Sequence, residues 1–327
     1  MTASLTPPDR NRRAYVHLCD DAGAAVPLMA RAWWLEAVSR PAGKEWGAVM
    51  ATGVDGRLVG AMPYQLTRRG PVAAMLMPQL TQLSHIWTAP GTDRAEAVAA
   101  TLRELRQQMR RDRVLMAQFA DRLTEAECGA FMAEGFTLEE RISLRLNDLS
   151  DIHQVEAAFA KYKKRKLRKA EAQGYTLDTD LTASEFTDLA RQEITLLHGS
   201  LLYPPALLEE LAREAMGRGC CRLFCARAAG GVAAAAVMMV HDETTAYYLV
   251  TPRSEAYSRL GAVEWVTREA IRWAATEGLA FDFEGSMDPG VARSYSAYGA
   301  TAAPYALATW YANGLVRWLV RRWVAMG

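Results

Sequence analysis

The chain has 327 residues, enough for two domains of ordinary size or one large barrel. Half of the residues are hydrophobic and 23% are charged, which excludes a disordered or fibrous protein. The net charge is +1, no run of about eighteen apolar residues occurs, and residues 1–13 lack the apolar stretch of a signal peptide, so we expect a cytoplasmic protein.

The first half predicts a mixed order of strands and helices. A helix around Trp33 and Trp34 precedes strands at 46–52 and 57–66, with Asp55-Gly56 as the hairpin turn between them. The elements that follow are a strand at 72–77, a loop at 78–91, a helix at 95–111, a strand at 114–119, a helix at 124–134 and a strand at 136–146.

The second half repeats this order. Its predicted elements are strands at 222–228, 232–241 and 245–251, a helix at 261–276, a strand at 279–284, a helix at 289–298 and a strand near 303–310. Gly278 and Gly299 end the two helices, as Gly135 does in the first half. The repeated order predicts one fold used twice.

A basic helix is predicted between the halves, at 150–173, with Ser150 or Asp151 as N-cap and Gly174 after its end. Seven of the nine residues from Lys161 to Lys169 are basic, whereas the rest of the chain has 31 basic and 37 acidic residues. Helical geometry places five of them on one arc, namely Lys161, Lys164, Arg165, Arg168 and Lys169. We expect RNA or another phosphate-bearing partner there, although a solvated lysine face is also possible. The run has no aromatic residue besides Tyr162, so base-specific reading and a DNA partner are not predicted.

The chain resembles the FemABX peptidyltransferase family, in which the GNAT acyltransferase fold occurs twice, and in particular its BioF2-like acetyltransferase branch. The resemblance lies in KYKKRKLRKAEAQGYTL from Lys161, in GAVEW to TAAPY between Gly261 and Tyr305 with DFEGSM inside it, and in GRLVGAMPYQLTRRG and MPQLTQ. It implies an α/β protein of two tandem GNAT-like domains, with an acceptor domain at 1–149, the basic linking helix at 150–174 and a donor domain at 175–327.

The resemblance also implies the donor. FemABX enzymes transfer an amino acid from aminoacyl-tRNA to an amine, whereas other GNAT proteins hold the pyrophosphate of acyl-CoA on a glycine-rich loop. That loop here reads Arg259-Leu260-Gly261-Ala262-Val263 and lacks the second small residue, so aminoacyl-tRNA is favoured as cosubstrate and acyl-CoA is the alternative. A non-catalytic RNA-binding or scaffold protein is the second alternative. Besides the basic arc, the predicted donor-binding residues are Arg253, Arg259 and Gly261.

The predicted catalytic residues lie in FDFEGSMDPG and the helix after it. Asp282 and Glu284 would share one strand face and hold or deprotonate the acceptor amine, and Ser286 would donate a hydrogen bond to substrate. Tyr298, or Tyr295, occupies the place where GNAT enzymes often keep a general acid. The alternative is structural: the carboxylate and the serine satisfy turn amides, and the tyrosines pack in the core.

Three further groups are candidates for binding. The acceptor would contact Gln79, Thr81 and Gln82, followed by His85 and Trp87, and His198 from the second half. The run 315–326 could lie on a membrane, but we expect it to pack on the sheet because its apolar residues occupy most of the helix circumference. Five cysteines without a repeated CxxC spacing predict neither disulfides nor a metal site.

Overall fold

The computed structural model describes residues 7–198, 203–257, 259–285 and 288–324. The elements up to Leu146 are α1 (Pro7–Ala22), α2 (Ala32–Ser39), β1 (Glu45–Thr52), β2 (Leu58–Arg69), β3 (Val72–Leu76), β4 (Trp87–Thr88), α3 (Arg94–Arg111), β5 (Val114–Asp121), α4 (Glu125–Ala133) and β6 (Thr137–Leu146).

The elements after Leu146 begin with four helices and one short strand: α5 (Ile152–Ala158), α6 (Lys161–Glu171), β7 (Thr176–Asp178), α7 (Ala183–His198) and α8 (Pro205–Gly217). The chain continues through β8 (Cys221–Arg227), β9 (Ala233–His241), β10 (Thr245–Val250), α9 (Ala262–Thr276), β11 (Ala280–Asp282), α10 (Pro289–Ser296), β12 (Thr301–Tyr311) and α11 (Gly314–Val324). None of these helices is long and apolar enough to span a bilayer.

The first compact unit contains the described residues up to Arg141 and those from Pro304 onward. Its strand order is β1-β2-β3-β5-β12, in which β3 and β5 are parallel and the other neighbours are antiparallel. Helix α3 buries the predicted stripe of Val98, Leu102, Leu105 and Met109 in the core of this unit.

The second compact unit contains Ile142–Ala303. Its strand order is β6-β11-β10-β9-β8-β7, in which only β10 and β11 are parallel. Its core joins α9 to Phe281, Phe283 and Tyr298. Each unit therefore has a hairpin, a third strand, a helix and a parallel strand, and the predicted α/β class with one fold used twice is confirmed.

The unit boundaries differ from the predicted boundaries at 149 and 174. Residues 306–311 of β12 pair with β5 of the first unit, whereas Arg145 and Leu146 of β6 pair with β11 of the second. The final strand of each half thus completes the other half's unit. The basic helix α6 belongs wholly to the second unit. Repeat order in a sequence cannot show such an exchange, because it says nothing about which strands pair.

The predicted single helix at 150–173 is two helices, and that prediction is wrong. Asp151 caps α5 as expected, but Phe159 and Ala160 have extended backbone angles between α5 and α6. The Phe159 ring is buried edge-on against Tyr298, with centroids 5.1 Å apart, and the Ala160 amide donates to the Ala297 carbonyl at 2.8 Å. These two contacts with the α10 region account for the break.

The prediction that the C-terminal run packs on the sheet is wrong for three of its apolar side chains. Leu315, Trp318 and Leu319 of α11 are 65%, 54% and 51% exposed. Val316 and Val320, on the other side of the helix, are half-buried. Leu315, Trp318 and Leu319 of this helix therefore remain in solvent.

Candidate functional site

In the second unit, a ligand cleft is expected at the carboxyl ends of the two parallel strands. Thr245, Ala246 and Tyr247 of β10 pair with Ala280, Phe281 and Asp282 of β11. Beyond this point β11 ends, whereas β10 continues to Val250. Parallel strands that separate at their carboxyl ends leave a crevice in the sheet, which is where α/β folds commonly place ligands.

Asp282 is the last residue of β11 and is fully buried, with 0% exposure. Its carboxylate accepts hydrogen bonds from the Ser143 hydroxyl and, at 2.8 Å, from the Glu284 amide. The Arg145 guanidinium nitrogen Nε lies 3.5 Å from its other oxygen. Asp282 is thus an internal anchor between β6 and the end of β11, not a group that meets substrate. Sequence analysis missed Ser143 and Arg145, because they come from the exchanged strand β6.

Glu284 is not on the strand face that a period of two predicts, because β11 ends two residues earlier. Its φ is +59°, and Gly285 follows with φ +69°. A Cβ on Gly285 would collide with the Ile142 carbonyl oxygen and lie 2.8 Å from Ser143 Cα, so this position requires glycine. A glutamate in the left-handed region is strained, and such strain is commonest at functional sites.

The environment of Glu284 suits proton transfer. Its Oε1 atom is buried. Burial, and then the negative charge of Asp282, raise the pKa of the Glu284 carboxyl well above its usual range. A carboxyl whose pKa is raised takes up a proton more readily than an ordinary glutamate, as a general base must.

Aromatic rings pack around Phe283, the residue before Glu284. Phe283 lies between two tyrosines, with ring centroids 4.8 Å from Tyr295 and 5.4 Å from Tyr298. Tyr298 is 2% exposed, and its ring also contacts Phe159, so the predicted catalytic tyrosine is a core residue. Tyr295 is half-buried, and burial, the Tyr248 charge and the Glu284 charge raise its pKa. Tyr295 is therefore the tyrosine that can reach a ligand.

Helix α6 packs directly on the beginning of α9, where the expected pyrophosphate loop lies. Gly261, with φ +83°, precedes α9, and a Cβ there would lie 2.8 Å from the Lys166 carbonyl oxygen and 3.1 Å from the Ala170 Cβ. Lys169 Nζ donates to the Arg259 carbonyl at 3.0 Å. Gly261 thus permits close approach of α6 rather than of a phosphate.

A buried ion cluster fixes α6 in this position. Lys163 is 2% exposed, and its Nζ lies 3.4 Å from Glu264 Oε1, 2.9 Å from Ser294 Oγ and 4.4 Å from the Tyr298 ring centroid. Lys166 Nζ lies 2.8 Å from the same Glu264 oxygen. Burial opposes ionisation of Glu264, but the two lysines outweigh it and lower its pKa.

Sequence analysis missed this cluster. Burial lowers the pKa of Lys163 although Glu264 opposes the shift. A signal was present, because Lys163 shares the buried face of α6 with Leu167 and Ala170, at spacings of four and three residues.

The other predicted donor-binding residues lie on the outer side of α6 or near α9. Lys161, Arg165, Arg168, Lys169 and Arg259 are exposed. Lys164 is half-buried and donates to the Ala157 carbonyl at 2.6 Å. Arg253 pairs with Glu193, with Nε 3.1 Å from Oε1, so it already has an anionic partner.

The predicted acceptor residues other than His198 lie in the first unit. Gln79, Thr81 and Gln82 are half-buried, and Thr81 Oγ1 accepts from Trp34 Nε1 at 2.9 Å. In the same loop, His85 has φ +53°, and its Nδ1 lies 3.1 Å from the Asp121 carboxylate. Ser286 lies outside the described residues, and so does the side chain of His198 at the end of α7.

Comparisons with known proteins identify the fold. Residues 157–293 match the family model described as Acetyltransferase (GNAT) domain. FemX is 12% identical over 94% of this chain and 97% of its own, with a TM-score of 0.68. A tandem GNAT protein from the clavulanic acid biosynthesis pathway, solved without AcCoA, is 16% identical over 94% and 96%, with a TM-score of 0.56. L-PGS from Bacillus licheniformis is 12% identical over 98% and 97%, with a TM-score of 0.57. A comparison with curated proteins found no match.

Proposed function

We propose that this chain, which has the GNAT fold and resembles FemX in its tandem architecture, is an acyltransferase that moves an aminoacyl group from aminoacyl-tRNA to an amine and forms an amide bond. One observation carries the choice of donor: α6 covers the beginning of α9 and brings the Lys163–Glu264–Lys166 cluster there.

This arrangement disfavours acyl-CoA for electrostatic and steric reasons. A pyrophosphate binds at a helix N-terminus when the first backbone amides are accessible and no anion competes. Here Glu264, in the first turn of α9, carries a carboxylate whose ionised form two lysines favour. Glu264 already contacts both lysines, and α6 occupies the approach to Gly261.

The outer side of α6 suits an RNA donor. Lys161, Arg165 and Arg168 are exposed on this helix, and the described residues place no carboxylate in a salt bridge with any of them. Cations in this arrangement bind phosphates without reading sequence. Phosphate contacts without sequence reading are sufficient if the enzyme recognises the aminoacyl-tRNA by its attached amino acid.

Glu284 would carry the proton in the reaction. The acceptor nitrogen attacks the ester carbonyl carbon, a C–N bond forms, and the ester C–O bond to the terminal ribose breaks. Glu284, as carboxylate, takes a proton from the amine and returns it to the leaving ribose oxygen, so the proton balance is zero. Asp282 favours proton uptake by Glu284 through its charge and holds the Glu284 amide.

The test measures amide formation from labelled aminoacyl-tRNA with a panel of amines: free amino acids, dipeptides, a peptidoglycan precursor and an amine-bearing lipid. Arg165→Glu/Arg168→Glu should raise the KM for aminoacyl-tRNA and reduce the salt dependence of binding by roughly 0.7–0.9 in slope per lost phosphate contact. Arg103→Glu/Arg110→Glu, a matched reversal on exposed residues of α3, is the control and should leave both unchanged. Equal effects of the two double variants would contradict the proposal.

Acyl-CoA is the second candidate donor, because the matching family model is described as an acetyltransferase domain. Under this alternative acetyl-CoA would raise the unfolding temperature in a saturable manner. Substitution of α6 cations would then leave transfer from acetyl-CoA unchanged.

A further inference from the structure

The exposed face of α11 differs from the rest of the described surface. Leu315, Trp318 and Leu319 follow a spacing of three and four residues, so they lie together on one side of the helix. All three are more than half exposed. The other large apolar side chains exposed in the described ranges, such as Val54 and Val232, lie one at a time. A contiguous exposed apolar face marks an interaction surface, whereas single exposed residues do not.

The charges around this face select the partner. Arg317 and Arg322 are exposed, and the Arg322 guanidinium carbon lies 5.5 Å from the Trp318 ring centroid. The sequence from Thr301 to Gly327 contains three arginines and no acidic residue. A long cationic side chain beside an exposed tryptophan suits the boundary between acyl chains and headgroup phosphates, where tryptophan is enriched and arginine reaches outward.

The length of α11 limits how it can lie relative to a bilayer. Eleven helical residues extend about 16 Å, roughly half of the thickness of a hydrocarbon core. The helix therefore cannot cross a bilayer, but it can lie in the plane of the interface with one face in contact with acyl chains.

We propose that α11 is a membrane-surface helix that binds anionic lipid. Leu315, Trp318 and Leu319 insert below the headgroups, and Arg322, on the same side of the helix, contacts lipid phosphates. This assignment is independent of the donor and of the transfer reaction, since it rests on residues of the first unit alone.

The experiment is co-sedimentation of the full chain with phosphatidylcholine vesicles, with and without phosphatidylglycerol. The protein should bind the anionic vesicles, and added salt should weaken the binding. Arg322→Glu should lower the partition coefficient by roughly 25-fold, about fivefold for each of the two charge units that change near an anionic surface. Leu315→Ser/Trp318→Ser/Leu319→Ser should remove binding to these vesicles.

Two control variants test whether a loss of vesicle binding is specific to α11 or follows from any change in surface charge or hydrophobicity. Unfolding midpoints test whether the α11 variants remain folded. Val54→Ser/Val232→Ser removes exposed apolar residues elsewhere, and Arg103→Glu/Arg110→Glu reverses charge elsewhere; both variants should bind like the parent protein. The unfolding midpoint of the α11 variants should equal that of the parent, since the replaced side chains are exposed. The proposal is overturned if the parent protein does not bind anionic vesicles, or if the triple variant binds equally. Lipid-free dimerisation that the triple variant abolishes, without vesicle binding, would assign the face to a second copy instead.

Discussion

The buried pair of Lys163 and Glu264 predicts an asymmetric response to mutation. Glu264 contacts two ammonium groups, Lys163 at 3.4 Å and Lys166 at 2.8 Å. Among the described residues, Glu264 supplies the only carboxylate within salt-bridge distance of Lys163. Glu264→Gln therefore leaves a buried lysine without a counter-charge, whereas Lys163→Met leaves Glu264 paired with Lys166.

The expected magnitudes follow from this difference. Removing one partner of a buried ion pair costs about 3–5 kcal/mol, because the other charge remains desolvated. We expect a loss of this size in the free energy of unfolding for Glu264→Gln. Lys163→Met leaves no buried charge unpaired, because Lys166 still pairs with Glu264, so it should cost less than about 2 kcal/mol.

A pH dependence distinguishes this explanation from a packing defect. Burial lowers the pKa of Lys163 in the folded state, so the folded protein releases this proton more readily than the unfolded chain. The free-energy cost to folding of burying the charged Lys163 is therefore largest at low pH, and it falls as the pH rises toward the ordinary lysine pKa of about 10.4. The loss in Glu264→Gln should shrink in alkaline buffer, where Lys163 becomes neutral.

The assay is urea unfolding of the parent and the two variants at neutral and mildly alkaline pH. Equal costs for Lys163→Met and Glu264→Gln would refute the asymmetry. A Glu264→Gln loss that does not change with pH would refute the role of the lysine charge.

Three further predictions concern the cleft and the His85 loop. Glu284→Gln should reduce kcat by roughly 10²–10⁴-fold if the carboxyl moves the proton. The pKa of Glu284 is raised in the folded protein, so the free energy of unfolding should fall as the pH rises above the ordinary glutamate value of about 4.3. In Glu284→Gln, an unfolding series across pH should show less of this fall. Gly285→Ala should lower the unfolding midpoint through its positive φ and its close approach to the backbone of β6, at a cost of at least about 1–2 kcal/mol, and an unchanged midpoint would contradict the local geometry. Burial opposes ionisation of Asp121, but His85 and two backbone amides outweigh it and lower its pKa. The ionised Asp121 therefore stabilises the folded protein above the ordinary aspartate pKa of about 3.9, and this stabilisation is lost in acid. Asp121→Asn should accordingly reduce the loss of stability on the acid side, measured as the free energy of unfolding against pH.

The regular elements could be predicted because their signals are local. The stripe of Val98, Leu102, Leu105 and Met109 and the hairpin turn at Asp55-Gly56 follow from spacing and turn chemistry alone. The repeat of one strand and helix order was visible for the same reason. Pairing of β12 with β5 and of β6 with β11 was not, because strand exchange depends on contacts between residues far apart in sequence.

The site was predicted in composition but not in geometry. DFEGSM marked the correct strand end, yet the strand stops at Asp282 and the positive φ of Glu284 breaks the alternation. Charge counting found the basic run but could not show that Lys163 points inward while its neighbours remain outside. The break at Phe159 was hidden because the apolar spacing continues through both helices, and the contacts that interrupt them, with Tyr298 and with the Ala297 carbonyl, are distant in sequence.

The central claim is that the donor binds through RNA phosphates and not through a CoA pyrophosphate. The most direct measurement is a paired binding titration of the purified protein with aminoacyl-tRNA and with acetyl-CoA at two salt concentrations, with uncharged tRNA as reference. The account predicts tighter binding of the charged tRNA than of the uncharged one, weakening with salt, reduced in Arg165→Glu/Arg168→Glu and retained in Arg103→Glu/Arg110→Glu. Saturable binding of acetyl-CoA without preference for charged tRNA would contradict it.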